Sequence, residues 1–299
     1  MTLAVTGPAG APEPRYTIRG AHPNGGSCAR EGRARDAGEM QPGERRDVAA
    51  LLAAVAEVGP FFAVAHGAEP ADGGWVPVRA LGGDPGPHDP LGDRIAAVRA
   101  ALATDARVAA STVSLGLAAQ LVAPLFAAVA VHGALPVPDP GGAGTRPPSG
   151  RDDPAADALA DVLHWRPGGT GPWLWWSGGG RVVAGGPAAL ADVVTALLAP
   201  PVAAVRARVP IAERVLWGNV ASAVASARQL VAAAAPESTG RAGAVAEHLL
   251  TTPPLAPTAE LRDPEPPDVG WSFRRRTCCL YYRVPGGGLC GDCVLLDRP

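Results

Sequence analysis

Residues 273–293 read FRRRTCCLYYRVPGGGLCGDC and hold four of the five cysteines of the 299-residue chain. The thiols follow the spacing C-C-x10-C-x2-C, at Cys278, Cys279, Cys290 and Cys293. Four thiols this close, in a chain otherwise nearly free of cysteine, indicate one metal centre. Thiolate-only coordination suits zinc or an iron–sulfur cluster. The segment must therefore fold so that its two cysteine pairs converge.

The spacing leaves three interpretations of these thiols open. Cys290 and Cys293 can chelate one ion because the short loop returns the second sulfur toward the first. Adjacent residues in a strand point to opposite faces, so Cys278 and Cys279 meet one centre only if the chain leaves regular geometry. Tetrahedral zinc normally draws on two pairs with a spacer inside each, whereas a [2Fe–2S] cluster tolerates a wider spread of sulfurs. The geometry favours the cluster, with structural zinc and a disulfide pair as the alternatives.

Composition narrows the class of protein. The net charge is −2 and every basic residue is arginine, so no global field favours nucleic acid. Clustered thiols for metal favour a reducing cytoplasm, and the N-terminus lacks the basic start and the apolar stretch of a signal peptide. The apolar run at 115–131 contains Gln120 and Pro124 and is expected to be a buried helix rather than a membrane span.

The residue pattern predicts an α+β fold, a predominantly helical domain with a few short antiparallel strands and a C-terminal cysteine-rich segment. We expect a disordered Gly/Pro/Arg-rich tail at 1–43, a helix-rich domain at 44–251, a Pro-rich linker at 252–267 and the cluster-binding segment at 268–299. Cys28 lies alone in the tail and is excluded from the metal site.

Periodicity and turn signals place the main elements within these bounds. Asp89-Pro90 marks a helix start. A β-hairpin is predicted around Ser177–Gly180 and a strand at Thr277–Val284. Further helices are predicted at 107–132 with a kink or break near Pro124, at 187–208 with an interruption at Pro200-Pro201, at 211–235 and at 241–250.

The cysteine ending resembles the signature of the FhuF-type ferric-siderophore reductases, actinobacterial members in particular. Upstream, residues 216–220 (LWGNV) resemble the Trp-Gly-Asn helix of that family, and residues 111–124 with the turn at 132–136 resemble another of its helices. For Trp217 and Asn219, helix packing with a polar bond to the backbone is the preferred interpretation. At Gln120 and Val122 the chain departs from the commoner family pattern, which has Arg and Trp there.

The resemblance implies a cytoplasmic oxidoreductase with a [2Fe–2S] cluster on Cys278, Cys279, Cys290 and Cys293, which gives one electron to siderophore-bound Fe(III). The chain lacks a G-x-G-x-x-G after a strand, so electrons are expected from a separate ferredoxin or flavin reductase. A peripheral contact with a membrane importer is left open. The alternatives are a structural-zinc siderophore-binding or interaction protein, and a [2Fe–2S] carrier or redox sensor without a siderophore substrate.

Two groups of residues are candidates for docking the ferric siderophore or the electron donor. Arg274, Arg275 and Arg276 form the one local basic patch, for which a solvated surface is the plain alternative. Trp173 and Trp175 are candidates for an aromatic wall, although core packing is the preferred interpretation. No catalytic residues beyond the cluster ligands are expected.

Overall fold

The computed structural model describes residues 47–83, 88–139, 154–168 and 171–296, without the side chains of 154–156. Residues Arg45–Pro299 form one compact unit. The predicted tail at 1–43, with Cys28, lies outside the described residues. The predicted tail and the boundary at 43/44 stay predictions.

Helices dominate the fold in the described part of the chain. Asp47, Asp89 and Asp105 each cap a helix by accepting backbone N–H groups of the first turn, as short side chains with an oxygen do. Gly133 ends the longest helix in the left-handed conformation, at φ 63°. The helices are α1 Val48–Ala56, α2 Pro90–Ala101, α3 Ala106–His132, α4 Pro154–Val162, α5 Pro187–Arg208, α6 Glu213–Ala234 and α7 Thr239–Thr251.

Helix α3 lies at the centre and packs most extensively on α6. Its many alanines bring neighbouring helices close, and it is apolar on all sides because it is surrounded. Helices α3 and α5 are each long and apolar enough to cross a membrane. However, 78% of the apolar 18-residue stretch of α3 and 50% of that of α5 are buried inside the protein. The expectation that residues 115–131 form a buried helix is confirmed.

The predicted interruption at Pro200-Pro201 is wrong, because α5 continues through both prolines. Helix α3 likewise continues through Pro124, so a break there is wrong, whereas a kink there stays a prediction. Each proline removes one backbone hydrogen bond. Pro124 and Pro201 are buried, and tertiary packing of this kind sustains a helix despite a poor local propensity.

The strands are short and form three small sheets. One has the order β1-β5-β4-β2, and the other two are the antiparallel pairs β3–β6 and β7–β8. Strands β1 and β5 pair in parallel, so the expectation of antiparallel strands fails for that pair. The strands are β1 Val64–His66, β2 Val76–Pro77, β3 Ala134–Pro138, β4 Leu163–Trp165, β5 Leu174–Trp176, β6 Gly180–Ala184, β7 Ala259–Arg262 and β8 Ser272–Arg275.

The predicted hairpin around Ser177–Gly180 is wrong. Strand β5 pairs with β4 and β1, whereas β6 pairs with β3. The Ser177 N–H donates to the Val162 carbonyl at 2.9 Å, which holds the chain against β4 as it leaves β5. The glycine-rich stretch therefore carries the chain from one sheet to another instead of folding it back.

Residues 252–267, predicted as a linker, contain a 3-10 helix at Ala256–Thr258 and strand β7, which pairs with β8 across the predicted boundary at 267. The linker prediction is wrong because the prolines lie on either side of β7, where they do not interrupt its hydrogen bonds. The predicted strand at Thr277–Val284 is also wrong, since β8 ends at Arg275. The predicted class, a mainly helical α+β fold with a cysteine-rich C-terminus, is confirmed.

Candidate metal centre

The backbone leaves regular geometry where the first cysteine pair lies. Strand β8 ends at Arg275, and Cys278 and Cys279 occupy an irregular turn. Leu280 follows in the left-handed conformation, at φ 68°, which is uncommon for a residue with a branched side chain. The alternation that would send neighbouring sulfurs to opposite faces therefore does not apply to this pair.

The four sulfurs gather in this segment without forming a closed cage. The Sγ atoms of Cys279 and Cys290 are 3.8 Å apart. Cys279 and Cys293 are buried, whereas Cys278 and Cys290 are half-buried. In the described part of the chain, no group of three or more His, Cys, Asp and Glu side chains is arranged to hold a metal ion.

Backbone N–H groups surround the sulfurs in a repeated pattern. The Leu280 N–H donates to Cys278 Sγ at 3.3 Å, and the Leu295 N–H donates to Cys293 Sγ at 3.4 Å. In each case the donor follows its cysteine by two residues. Such hydrogen bonds stabilise thiolates and tune iron–sulfur potentials.

The thiol pKa values reflect these surroundings. A hydrogen bond from Cys290, opposed by burial and assisted by the Tyr281 N–H and the Arg275 charge, lowers the pKa of Cys279 to about 6. The same hydrogen bond, with burial and the Asp292 carboxylate, raises the pKa of Cys290. Burial raises the pKa of Cys278 despite the Leu280 N–H.

The glycine run at 286–288 shapes the turn between the cysteine pairs. Gly286 has φ 72°, and the Gly287 N–H donates to the Val284 carbonyl at 2.7 Å. A Cβ on Gly287 would lie 2.6 Å from the Tyr281 carbonyl oxygen. Here glycine is required by the close approach of two backbone segments.

The three arginines of the predicted docking patch have different environments. Arg274 donates to the Gly291 carbonyl at 3.0 Å and so holds the Cys290–Cys293 loop. Arg275 is 1% exposed, so its assignment to a docking surface is wrong. Strand alternation places it on the buried face with Phe273. Arg276 is exposed, and its docking role stays a prediction.

Helix α6 provides the surface on which this segment rests. The Arg275 Nη2 donates to Asn219 Oδ1 at 2.5 Å, and the Asn219 amide donates to the Ser111 carbonyl at 2.9 Å. A Cβ on Gly218 would lie 1.9 Å from Thr277 Oγ1 and 3.4 Å from Arg275 Nη2. The Gly-Asn pair of the Trp-Gly-Asn motif therefore contacts the cysteine segment directly.

A second contact joins α6 to the other cysteine pair. The Ser222 hydroxyl donates to the carboxylate of Asp292, which lies between Cys290 and Cys293. The Asp292 carbonyl in turn accepts the Arg275 N–H at 3.0 Å. The sequence pattern missed Ser222 and Asp292, since nothing in their spacing marks a partner 70 residues away.

Trp173 and Trp175 pack within and beside the four-stranded sheet. The Trp175 indole donates to the Gly67 carbonyl at 3.2 Å, and its ring lies 4.6 Å from the His164 ring. The Trp173 ring lies 5.7 Å from Phe61. These contacts are the packing that the sequence favoured, and a role of either tryptophan in docking stays a prediction.

The residues present fit an iron–sulfur cluster. Four thiols are the ligand set of a [2Fe–2S] centre, and the N–H groups beside them supply the hydrogen bonds that such sulfurs accept. Arg275 Nε and Nη1 are buried and have no hydrogen-bond partner among the described residues. Cys278, Cys279, Cys290 and Cys293 are the residues that would hold the group.

Comparison with known proteins agrees with this chemistry. Residues 275–295 match the family described as FhuF 2Fe-2S C-terminal domain. No curated protein matches the chain, and no solved structure does. The match includes all four cysteines and Arg275. Residues 275–295 are therefore similar to the FhuF 2Fe-2S C-terminal domain, and this similarity indicates a [2Fe–2S] cluster as the cofactor.

Proposed function

We propose that the protein is a ferric-siderophore reductase that transfers one electron from its [2Fe–2S] cluster to siderophore-bound Fe(III). The observation that carries the proposal is the FhuF 2Fe-2S C-terminal domain at 275–295. When bound, the cluster supplies a one-electron couple. Siderophores bind Fe(III), a hard ion, through oxygen donors and bind Fe(II) far less well, so gain of one electron also releases the iron.

The surface around the cysteines supports access by a bulky chelate. Tyr282, Leu289 and Leu296 are 47%, 45% and 46% exposed, whereas the large apolar residues of the helices are mostly buried. All three lie in the same segment as the half-buried Cys278 and Cys290. Exposed apolar side chains grouped in this way are typical of a contact surface.

Electrons come from a separate ferredoxin or flavin reductase in this proposal, and the reaction takes place in the cytoplasm or at the inner face of the membrane beside an importer. Arg276 is suited to contact an acidic donor because its side chain is 52% exposed, and its nearest carboxylate contact, with Glu260, is 4.0 Å long. Replacement of Arg276 by Ala is expected to weaken the salt dependence of reduction by a ferredoxin.

The test is a stopped-flow experiment with anaerobically purified holoprotein reduced by dithionite. Ferric hydroxamate and ferric catecholate chelates are mixed with it, while cluster reoxidation and Fe(II) capture by bipyridyl are recorded. Rapid reoxidation with one Fe(II) per cluster supports the proposal. Reoxidation no faster with any ferric chelate than in buffer alone contradicts it and favours an electron carrier or redox sensor. A Cys28→Ser variant is the matched control, because Cys28 lies outside the motif.

A further inference from the structure

Arg275 is a buried cation, 1% exposed. Among the described residues, no carboxylate forms an ion pair with its guanidinium. Its Nε and Nη1 atoms have no hydrogen-bond partner there. A buried charge without a partner is strongly unfavourable, so the site calls for an anion.

A second buried arginine has the usual arrangement, in which a carboxylate pairs with the guanidinium. Arg228 is 4% exposed, lies 3.3 Å from the Asp268 carboxylate and stacks 3.8 Å from the centre of the Trp271 ring. Arg275 has one neutral acceptor instead, the Asn219 amide oxygen. A neutral amide fixes the direction of a guanidinium and leaves its charge uncompensated.

The backbone places Arg275 beside both cysteine pairs. It precedes Cys278 by three residues, and its N–H donates to the Asp292 carbonyl inside the Cys290–Cys293 loop at 3.0 Å. Gly218 lets this segment approach α6 closely, since a Cβ there would lie 3.2 Å from the Cβ of Thr277, two residues after Arg275.

We propose that Arg275 is the internal counter-cation of the [2Fe–2S] cluster and that Asn219 is the residue that positions it. A cluster on four thiolates carries net negative charge, and one further electron increases that charge. A buried cation with free N–H donors stabilises the reduced form more than the oxidised form, because their attraction is weakly screened inside the protein. Arg275 thereby raises the reduction potential of the cluster.

The experiment measures the reduction potential of holoprotein by EPR-monitored titration, which does not depend on the substrate. Arg275→Gln removes the charge and is expected to lower the equilibrium constant for reduction at least tenfold, about 59 mV for one electron. Asn219→Asp keeps Arg275 and gives it a carboxylate, and is expected to lower the constant roughly threefold or more. Arg276→Gln removes an exposed charge nearby and is expected to stay within about twofold.

The proposal is overturned if the equilibrium constants for reduction of Arg275→Gln and Asn219→Asp both stay within about twofold of the parent value. It is also overturned if Arg276→Gln changes this constant as much as Arg275→Gln does. If Arg275→Gln binds no cluster, the Asn219→Asp potential alone decides. A shifted Arg275→Gln with an unchanged Asn219→Asp overturns the positioning role of Asn219. The cluster potential remains measurable if the protein reduces no ferric siderophore, so failure of this proposal and failure of the proposed function are distinguishable.

Discussion

The helical core and the cluster segment, residues 276–296, are stabilised in different ways. The core, centred on α3 and α6, consists of buried apolar side chains in regular helices. The cluster segment has one 3-10 turn and irregular backbone, and it exposes Tyr282, Leu289 and Leu296. Ser222 of α6 holds it through a hydrogen bond to Asp292, and Asn219 of α6 accepts a hydrogen bond from Arg275, the residue directly before the segment.

This difference shows that different contributions to the free energy stabilise the two regions. Burial of apolar surface stabilises the core regardless of the cofactor. The cluster segment has little apolar burial of its own, so its order depends on sulfur ligation and on its attachment to α6. Changes that separate these two dependences test the comparison most directly.

The largest effect is expected from loss of a ligand. Cys279→Ser is expected to lower bound iron and acid-labile sulfide by roughly tenfold or more, because oxygen replaces a thiolate that the cluster requires. The helical signal in far-UV circular dichroism is expected to persist. Iron and sulfide assays on anaerobically purified protein, with Cys28→Ser as the control, make the comparison. Loss of helical signal together with the cluster would contradict the independence of the core.

A methyl group at the boundary between the regions is expected to have the next largest effect. Gly218→Ala places a Cβ against the buried Thr277 side chain and should destabilise the protein by about 1–3 kcal/mol. Cluster content should fall as well, because Thr277 directly precedes Cys278. Urea unfolding and cluster absorbance measure the two effects.

Gly243→Ala is the matched control for that variant. Gly243 lies within α7, and a Cβ there meets nothing within 4 Å. Alanine in a helix is expected to stabilise by about 0.5–1 kcal/mol. Similar destabilisation by both substitutions would show that α6 does not carry the cluster segment in the way described.

Within the core, substitution of Asp89 is expected to have a smaller effect on stability, and this effect depends on pH. It caps α2, and its two carboxylate oxygens share the single N–H of Arg208 Nε, at 3.0 and 2.8 Å. Hydrogen bonding to Arg208, opposed by burial, lowers the pKa of Asp89 below its ordinary 3.8. The contribution to stability is therefore complete above about pH 4 and is lost as the pH falls through the lower folded-state pKa.

Asp89→Ala is expected to destabilise by about 1–2 kcal/mol at pH 7. The difference from the parent protein should shrink below about pH 4, as Asp89 becomes protonated in the parent protein too. Urea unfolding of apoprotein between pH 3 and pH 7 measures this. A difference that grows on acidification would give the opposite sign to the linkage and contradict the assigned pKa direction.

The smallest effect on stability is expected at the exposed face of the cluster segment. Leu289→Ser should change the free energy of unfolding by less than about 0.5 kcal/mol and leave cluster content unchanged. If the proposed function holds, it should slow reoxidation by a ferric siderophore. Val269→Ser is the control, because Val269 is 67% exposed but lies outside the cluster segment. Equal slowing by both variants would remove this face as the contact surface.

Local patterns predicted most of the helices. Asp89-Pro90 marks the start of α2, because a capping side chain acts within its own first turn. The prolines of α3 and α5 wrongly predicted helix breaks, since helix packing outweighs the lost hydrogen bonds. The glycine stretch after β5 wrongly predicted a hairpin, because the partner of a strand depends on residues far away in the sequence.

At the metal centre, too, some features follow from local sequence and others only from tertiary packing. Thiol spacing alone indicated the four candidate metal ligands, because a ligand set depends on chemistry that the residues carry themselves. The arginine run gave no sign that Arg275 differs from its neighbours. The one available signal was period two along β8, which places Arg275 on the same face as the apolar Phe273.

The sequence by itself determined that four clustered thiols are candidate ligands of a thiophilic metal and that helices dominate the fold, since both follow from residue type and local spacing. Only the tertiary structure decided which charge is buried beside those thiols. Asn219 and Arg275 are 56 residues apart in the chain and meet because α6 packs beneath β8. A hydrogen bond at that separation depends on how whole elements pack, which local spacing does not encode.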